Sequence, residues 1–392
     1  MLDLKEKKVI ENGTFEEFLT VIKFSSNTEF LEKIYEVKNR FTKEEQKRNG
    51  QFFTITNPFN HNLFFEWISI INNFHNKTIL EPFAGTNNII DMLNELGYEN
   101  NWECFDIDPK CCLLTKNDSY PVIQKDTLNN FPIISANNEI FEIAITNPPY
   151  LSKTSATRNK FDFPNTNFND LYKLSLNIML KNIKYVAAII PESFLTQNLF
   201  HNRLYGVVSL TTKIFNDTEC PVCLALFIPT EEKSKNNLME NDFKIFSNHI
   251  TIGNFLEIKK FLELPKLNID FKFNDRNGSI GLIGIDDSKS NSIKFVSGDK
   301  INSNDIKVSS RSISKISFNN IYDLDVKDII NKANEILNKE RIETSDLFFT
   351  AFKGLRIDGK YRRRIDFKNA KRILTKAIED LLNDRLWKRI WM

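Results

Sequence analysis

The chain has 392 residues, 41% hydrophobic and 27% charged, a globular composition that excludes wholesale disorder and fibrous architectures. At roughly 100–200 residues per domain, that length should hold about two domains. No apolar run approaches the ~18 residues of a membrane span, and the charged start MLDLKEKKVIENGTFEEF lacks the apolar core of a secretory signal. The sequence therefore reads as a soluble cytoplasmic protein with no membrane partner.

Residues 1–45 are polar with Phe15, Phe18, Leu19 and Ile22 at helical spacing, which predicts amphipathic helices. Asn49-Gly50-Gln51-Phe52-Phe53-Thr54 follows as a turn leading into aromatics. From about residue 78 the pattern changes. Thr78-Ile79-Leu80 predicts a short strand, then a small-residue loop and a helix through Leu96. Further strands are expected at Trp102–Phe105, Val122-Ile123, Phe141–Ile145, Tyr185–Ile190, Val207–Leu210 and Cys223–Ile228, with a helix at 169–182. Strands alternating with helices imply an α/β fold with a doubly wound, mostly parallel sheet. Residues 231–241 (EEKSKNNLMEN) are charged and poor in apolar groups, as a linker would be. This places one domain at 1–230 and a second at 231–392. The second has short strand-like pieces, polar loops and a helical end from about 366, an α+β pattern.

Five cysteines in a chain this long do not make a disulfide framework. Cys220-Pro-Val-Cys223 has the spacing of half a zinc site, but there is no second such pair and only four histidines. No metal is expected, and Cys104, Cys111, Cys112, Cys220 and Cys223 read as packing thiols.

The net charge is only +2, and it is unevenly spread. Residues 1–230 carry 22 Lys+Arg against 27 Asp+Glu, while 231–392 carry 31 against 24. The last 40 residues hold 13 against 5. This asymmetry suits a polyanionic partner, although a solvated helical surface would look alike.

The residues at the predicted strand ends carry the chemistry. In a doubly wound sheet, ligands bind in the crevice at the carboxyl ends of the strands. Leu80-Glu81-Pro82-Phe83-Ala84-Gly85-Thr86-Asn87 sits there. Gly85 lets backbone approach a ligand closely, and Glu81 offers a negative charge to an ammonium group. The loop is neither GxGxxG nor a P-loop, which disfavours a phosphate ligand. Asp106, 21 residues after Gly85, ends the second strand where an acid accepts the hydroxyls of a ribose diol. Asp126 follows the third strand and could accept an adenine amino group. Asn147-Pro148-Pro149-Tyr150 follows the fourth strand. Its prolines stiffen the backbone and remove two amide donors. The Asn147 side-chain oxygen and the Pro148 carbonyl remain as acceptors, beside an aromatic ring. Two rigid acceptors suit an amino group with two N–H bonds to give.

Together these pieces resemble the amino-group DNA methyltransferases that use S-adenosylmethionine. Asn-Gly-Gln-Phe-Phe-Thr at 49–54 is similar to their N-terminal cofactor motif. The order of that motif, the Glu-Pro-Phe-Ala-Gly loop, Asn-Pro-Pro-Tyr and a final basic region resembles the gamma class of the Taq type, which methylates adenine N6. Val186–Leu195 looks like the family's later strand-and-Pro motif. The pieces span about 49–228. The resemblance implies a Rossmann-like methyltransferase sheet followed by a target-recognition domain. It implies that Phe53, Thr54, Glu81, Phe83, Ala84, Gly85, Asp106, Ile107 and Asp126 line the cofactor site. Asn147, Pro148, Tyr150 and Phe215 would hold a flipped adenine, with Phe215 matched through Lys213–Asp217. Departures from the family's pattern are a loop without a second glycine and Ile55 where proline is frequent.

The implied partner is double-stranded DNA, with a cognate restriction endonuclease acting separately. Lys353, Arg356, Arg362, Arg363 and Arg364 are the candidate DNA-contacting cations. Two other readings stand beside this one. Asn-Pro-Pro-Tyr also occurs in enzymes that methylate a protein glutamine amide or a ribosomal RNA guanine, though these usually lack a large basic domain after the sheet. A catalytically silent DNA-binding subunit is the non-enzymatic alternative, and the intact Glu81, Asp106, Asp126 and Asn147 speak against it.

Overall fold

A computed structural model describes residues 48, 57–114, 119–210, 214, 221–307, 310–319 and 322–390. The expected helices of 1–45, and Phe53, Thr54, Phe215 and Cys220, lie outside the described residues. By packing, these residues form two compact units: Arg48 with His75–Ile183, and 57–74 with 184–390. Helix α1 (Asn62–Ile70) belongs to the second unit.

The first unit is built on four parallel strands. They are β1 (Ile79–Glu81), β2 (Trp102–Asp106), β3 (Val122–Gln124) and β4 (Ile143–Thr146), ordered β3-β2-β1-β4. Ile79 pairs with Trp102 on one side and Ile143 on the other. Helix α2 (Asn88–Asn94) follows β1, and α3 (Pro109–Leu114) follows β2. Helices α4 (Lys153–Asn159) and α5 (Leu171–Asn182) follow β4. All residues of β1 and β4 are buried, as a strand covered on both faces must be. Each predicted strand of this unit is present, within one or two residues of its expected ends.

The second unit contains β5 (Tyr185–Pro191), β6 (Leu204–Leu210), β7 (Val222–Phe227), β8 (Lys244–Ser247) and β9 (Ile250–Asn254). Their order is β5-β7-β6-β8-β9. Strand β7 runs antiparallel to both β5 and β6, while β8 is parallel to β6. Helix α1 packs on β6: a Cβ at Gly206 would sit 2.8 Å from Leu63 Cδ2 and 3.1 Å from the Lys244 carbonyl. A Cβ there would have to displace the Leu63 side chain and press on the Lys244 carbonyl. The buried Trp67 of α1 donates from Nε1 to the Phe227 carbonyl at 3.0 Å. The fold is thus α/β with a mostly parallel sheet and an additional C-terminal α+β part.

The segment read as a linker is ordered. Residues Thr230–Lys235 form a short helix, and Lys233 is buried. Its ammonium donates to the carbonyls of His201, Glu240 and Asp242 at 2.7–2.8 Å, so three acceptors satisfy its three donors. Strands β8 and β9 then extend the sheet as far as Asn254.

Beyond them lies a separate hydrophobic core, drawn from residues 267–382. Strands β10 (Phe271–Phe273), β11 (Ile280–Ile283), β12 (Lys294–Ser297) and β13 (Ile313–Phe318) form an antiparallel sheet ordered β10-β13-β11-β12. Helix α6 (Val326–Glu343) buries Ile329, Ile330, Ala333, Ile336 and Leu337, one stripe of an amphipathic helix. Its cap is Asp325, whose carboxylate accepts the Lys327 amide at 2.8 Å. The hairpin β14 (Thr350–Leu355) and β15 (Tyr361–Arg364) leads into α7 (Phe367–Ile390). No helix among the described residues is long and apolar enough to cross a membrane.

Candidate functional site

The loop after β1 is shaped by two carboxylates. Glu81 is buried, and its Oε1 accepts the Thr146 hydroxyl at 2.5 Å and the Phe83 amide at 3.1 Å. Its Oε2 is buried with no hydrogen-bond partner among the described residues. Burial, helped by the nearby Asp106 charge, pushes this carboxyl up to about 8. Glu81 thus holds its proton to a higher pH than an exposed glutamate does. It fixes the loop and does not itself line the cavity described below.

Asp106 ends β2. Its Oδ2 accepts the Gly85 amide at 2.8 Å and its Oδ1 the Asp108 amide at 2.8 Å. The Ala84 amide donates to the Phe105 carbonyl at 2.9 Å, so loop and strand end are stitched together. Gly85 holds φ +54 and Asn87 φ +64, the left-handed region where glycine and asparagine are least strained. Asn87 donates from its side-chain amide to the Tyr120 carbonyl at 2.7 Å. Burial raises the Asp106 carboxyl to about 6. Each carboxylate oxygen has two lone pairs, so both can still accept a ligand hydroxyl.

Asp126 is half-buried and closes its own turn. Its Oδ1 accepts the amides of Leu128 and Asn129 at 3.1 and 3.2 Å, and its Oδ2 accepts the Asn129 side-chain amide at 2.7 Å. The Thr127 hydroxyl ties this turn to the Pro82 carbonyl at 2.8 Å.

After β4, Pro148 is buried while Asn147, Pro149 and Tyr150 are half-buried. The Tyr150 hydroxyl donates to Asn147 Oδ1 at 2.6 Å, and its ring meets Tyr172 edge-on at 6.4 Å. The carboxamide is thereby oriented by the ring expected to stack against a substrate.

One cavity of about 250 Å³ joins these elements. Phe83, Ala84, Gly85, Asp106, Ile107, Asp126 and Asn147 line it, all from the first unit. Ile107 is 57% exposed, an apolar side chain open to a planar ligand. Arg48, Asp162 and Pro164 also line the cavity. They were not singled out from sequence, because a lone arginine or a loop aspartate carries no local signal.

The C-terminal cations are placed differently from expectation. Along β15, Tyr361 and Arg363 are buried while Arg362 and Arg364 are half-buried, the period-two alternation of a strand. Arg363 thus points inward, and its guanidinium meets Glu192 at 2.5 and 3.2 Å. Glu192 also accepts the Ser209 hydroxyl at 2.5 Å. Arg356 is buried as well, donating to Asp358 at 2.8 and 3.1 Å and to Asn291. Arg362 donates from Nε to the Asp286 carbonyl at 2.7 Å and lies over the Phe352 ring at 5.0 Å. The Lys353 side chain lies outside the described residues. Arg356 and Arg363 are therefore ion-pair partners rather than free cations, because strand alternation aims Arg363 at the buried Glu192 and a tight turn brings Arg356 to the exposed Asp358.

Comparison with known proteins gives a likeness of fold. No family model matches the sequence, and no curated protein does. Among solved structures, the chain is similar to a modification subunit of a putative type I restriction enzyme from Vibrio vulnificus, at 14% identity and TM-score 0.35, covering 57% of this chain and 53% of that one. It is similar to a type I restriction-modification methyltransferase subunit from Streptococcus thermophilus, at 13% identity and TM-score 0.36, covering 59% and 54%. A third likeness is to a putative class I S-adenosylmethionine-dependent methyltransferase from Listeria monocytogenes, at 14% identity and TM-score 0.33, covering 57% and 79%. The matched regions span about half the length of the first two proteins.

Proposed function

We propose that this chain is an S-adenosylmethionine-dependent methyltransferase acting on adenine N6 in duplex DNA, the modification half of a restriction–modification system. The observation that carries this reading is the cavity at the strand ends. It brings Asp106 and Asp126, acceptors suited to a ribose diol and an adenine amino group, to the same space as the Asn147 acceptor.

The donor set fits the cofactor. Asp106 presents lone pairs for two hydroxyls, Ile107 an apolar surface for the adenine ring, and Gly85 a backbone without a Cβ. S-adenosylmethionine, when bound, supplies an electrophilic methyl on a sulfonium. The residues of the chain do the rest. Asn147 Oδ1 and the Pro148 carbonyl accept the two N–H bonds of the target amino group. An exocyclic amine conjugated to a ring is a poor nucleophile, and holding both hydrogens out of plane localises its lone pair. Asn147 Oδ1 already accepts the Tyr150 hydroxyl, and its second lone pair serves the substrate. Positioning then supplies most of the rate. No strong general base is required, because the proton becomes acidic once the nitrogen is cationic. A duplex hides this nitrogen, so the base must leave the stack at a cost of a few kcal/mol, offset by stacking on Tyr150. Phe215 is proposed as a second stacking ring.

The core spanning 267–382 serves, in this reading, as the target-recognition domain. Half-buried Arg362 and Arg364, with exposed Lys360 and Lys368, supply its phosphate contacts. The test is twofold. Calorimetry should show S-adenosylmethionine binding to the isolated protein, and DNA incubated with both should acquire N6-methyladenine by mass spectrometry. Binding without any methylated base in DNA, but with methylated RNA or glutamine, would move the substrate to another amino group. Absence of binding would sink the enzyme reading.

A further inference from the structure

The cavity has one feature that the strand-end residues do not account for. Its lining includes three carboxylates, Asp106, Asp126 and Asp162, and a single cation among the described residues, Arg48. Arg48 is exposed, and its guanidinium lies over the Phe161 ring at 5.5 Å. Phe161 is itself anchored. With Phe163 it packs on the small cluster of Leu151, Ala156 and Leu171, and its amide donates to the Ala156 carbonyl at 2.9 Å. The arginine is thus held against a ring packed on Leu151 and Leu171 of the cavity lining, a cation–π contact that uses its charge and not its N–H donors.

We propose that Arg48 takes the carboxylate of the amino-acid end of S-adenosylmethionine. The inference rests on the cofactor reading above and extends it to a residue outside the motifs. That ligand carries one anionic group and two cationic ones, an ammonium and a sulfonium. A cavity with three acids and one base matches this charge pattern. The nucleoside half needs only acceptors and an apolar face, which Asp106, Asp126 and Ile107 provide. Nothing in that set can hold a carboxylate, and each acid would repel one. A guanidinium binds a carboxylate through two parallel N–H···O bonds, the geometry for which its planar fork is suited.

The test compares two ligands on the full chain by calorimetry. S-adenosylhomocysteine has the amino-acid end; 5′-methylthioadenosine keeps adenine, ribose and sulfur but lacks it. Arg48→Gln should weaken S-adenosylhomocysteine by roughly ten- to a hundredfold, the worth of a charge-assisted hydrogen bond, and leave methylthioadenosine within about twofold. Affinity for S-adenosylhomocysteine that is unchanged, or losses of equal size for both ligands, would overturn the assignment. The methyl ester of S-adenosylhomocysteine supplies a second arm that needs no variant. It should bind the wild-type chain roughly tenfold or more weakly than the free acid, and bind R48Q about as well as the acid does. Equal binding of ester and acid by the wild-type chain would equally overturn it. If the wild-type chain binds neither nucleoside, the cofactor reading itself fails. If it binds both but R48Q does not separate them, only the role of Arg48 fails.

Discussion

Arg363→Ala separates two readings of the basic C-terminal run. Counted from sequence, Arg363 is one cation in a cluster facing DNA. In the structure it is a buried partner of Glu192, with both side chains at most 5% exposed and two guanidinium–carboxylate bonds at 2.5 and 3.2 Å. Removing the guanidinium leaves a buried carboxylate with the Ser209 hydroxyl as its remaining described side-chain donor. Breaking one side of a buried pair costs about 3–5 kcal/mol, most of it the penalty of the stranded charge. Arg363→Ala should therefore lower stability by that order in urea unfolding followed by fluorescence. The double variant Arg363→Met with Glu192→Leu should recover much of the loss, because neither charge is then stranded. The salt dependence of DNA binding should change little, since a buried guanidinium releases no counterion from a phosphate. A surface phosphate contact behaves in the opposite way: its loss flattens the log K against log salt slope by about 0.9 and barely alters stability. A stability change below about 1 kcal/mol, with a slope reduced by about one unit, would refute the ion-pair argument.

Asn147→Ala should abolish single-turnover methyl transfer and keep S-adenosylmethionine affinity within a few-fold, and turnover near wild type would remove Asn147 from the chemistry. Asp106→Ala should weaken the cofactor by about 1.5–3 kcal/mol in calorimetry, the worth of hydrogen bonds to a charged acceptor. Because burial holds Asp106 at about 6, wild-type affinity should be level above that pH and fall below it, where the protonated carboxyl accepts poorly; a flat profile between pH 5 and 7 would contradict this. Glu81 is raised from its ordinary 4.5 to about 8, so its contribution to stability is present below the unfolded value and lost as pH rises through the folded one. Stability should therefore decline from about pH 4.5 to about pH 8, and Glu81→Gln should remove that slope in pH-dependent unfolding.

How much was legible from sequence depended on whether the deciding interaction was local. Strands β1 and β4 were readable because each is a short, mostly apolar run, and covered parallel strands need such runs. Asp106 and Asn147 were readable because their place at strand ends follows from the alternation of strands and helices. The raised carboxyl of Glu81 was not, because it comes from burial between strands and from the charge of Asp106 at the end of the neighbouring strand. The stretch 231–241 resembled a linker because it is charged, yet Lys233 is buried there by three carbonyls that composition does not reveal. The basic run from Lys353 to Arg372 carries the same lesson further. A count of cations measures charge and says nothing of direction. Direction came from the register of β15, where Arg363 shares the inward face with Tyr361, and from Glu192, 171 residues earlier in the chain. A polyanion-binding surface should therefore be sought on the outward positions of that strand and on the exposed lysines beside it. The inward arginines hold the hairpin to its carboxylates, and their removal should register in stability before it registers in DNA affinity.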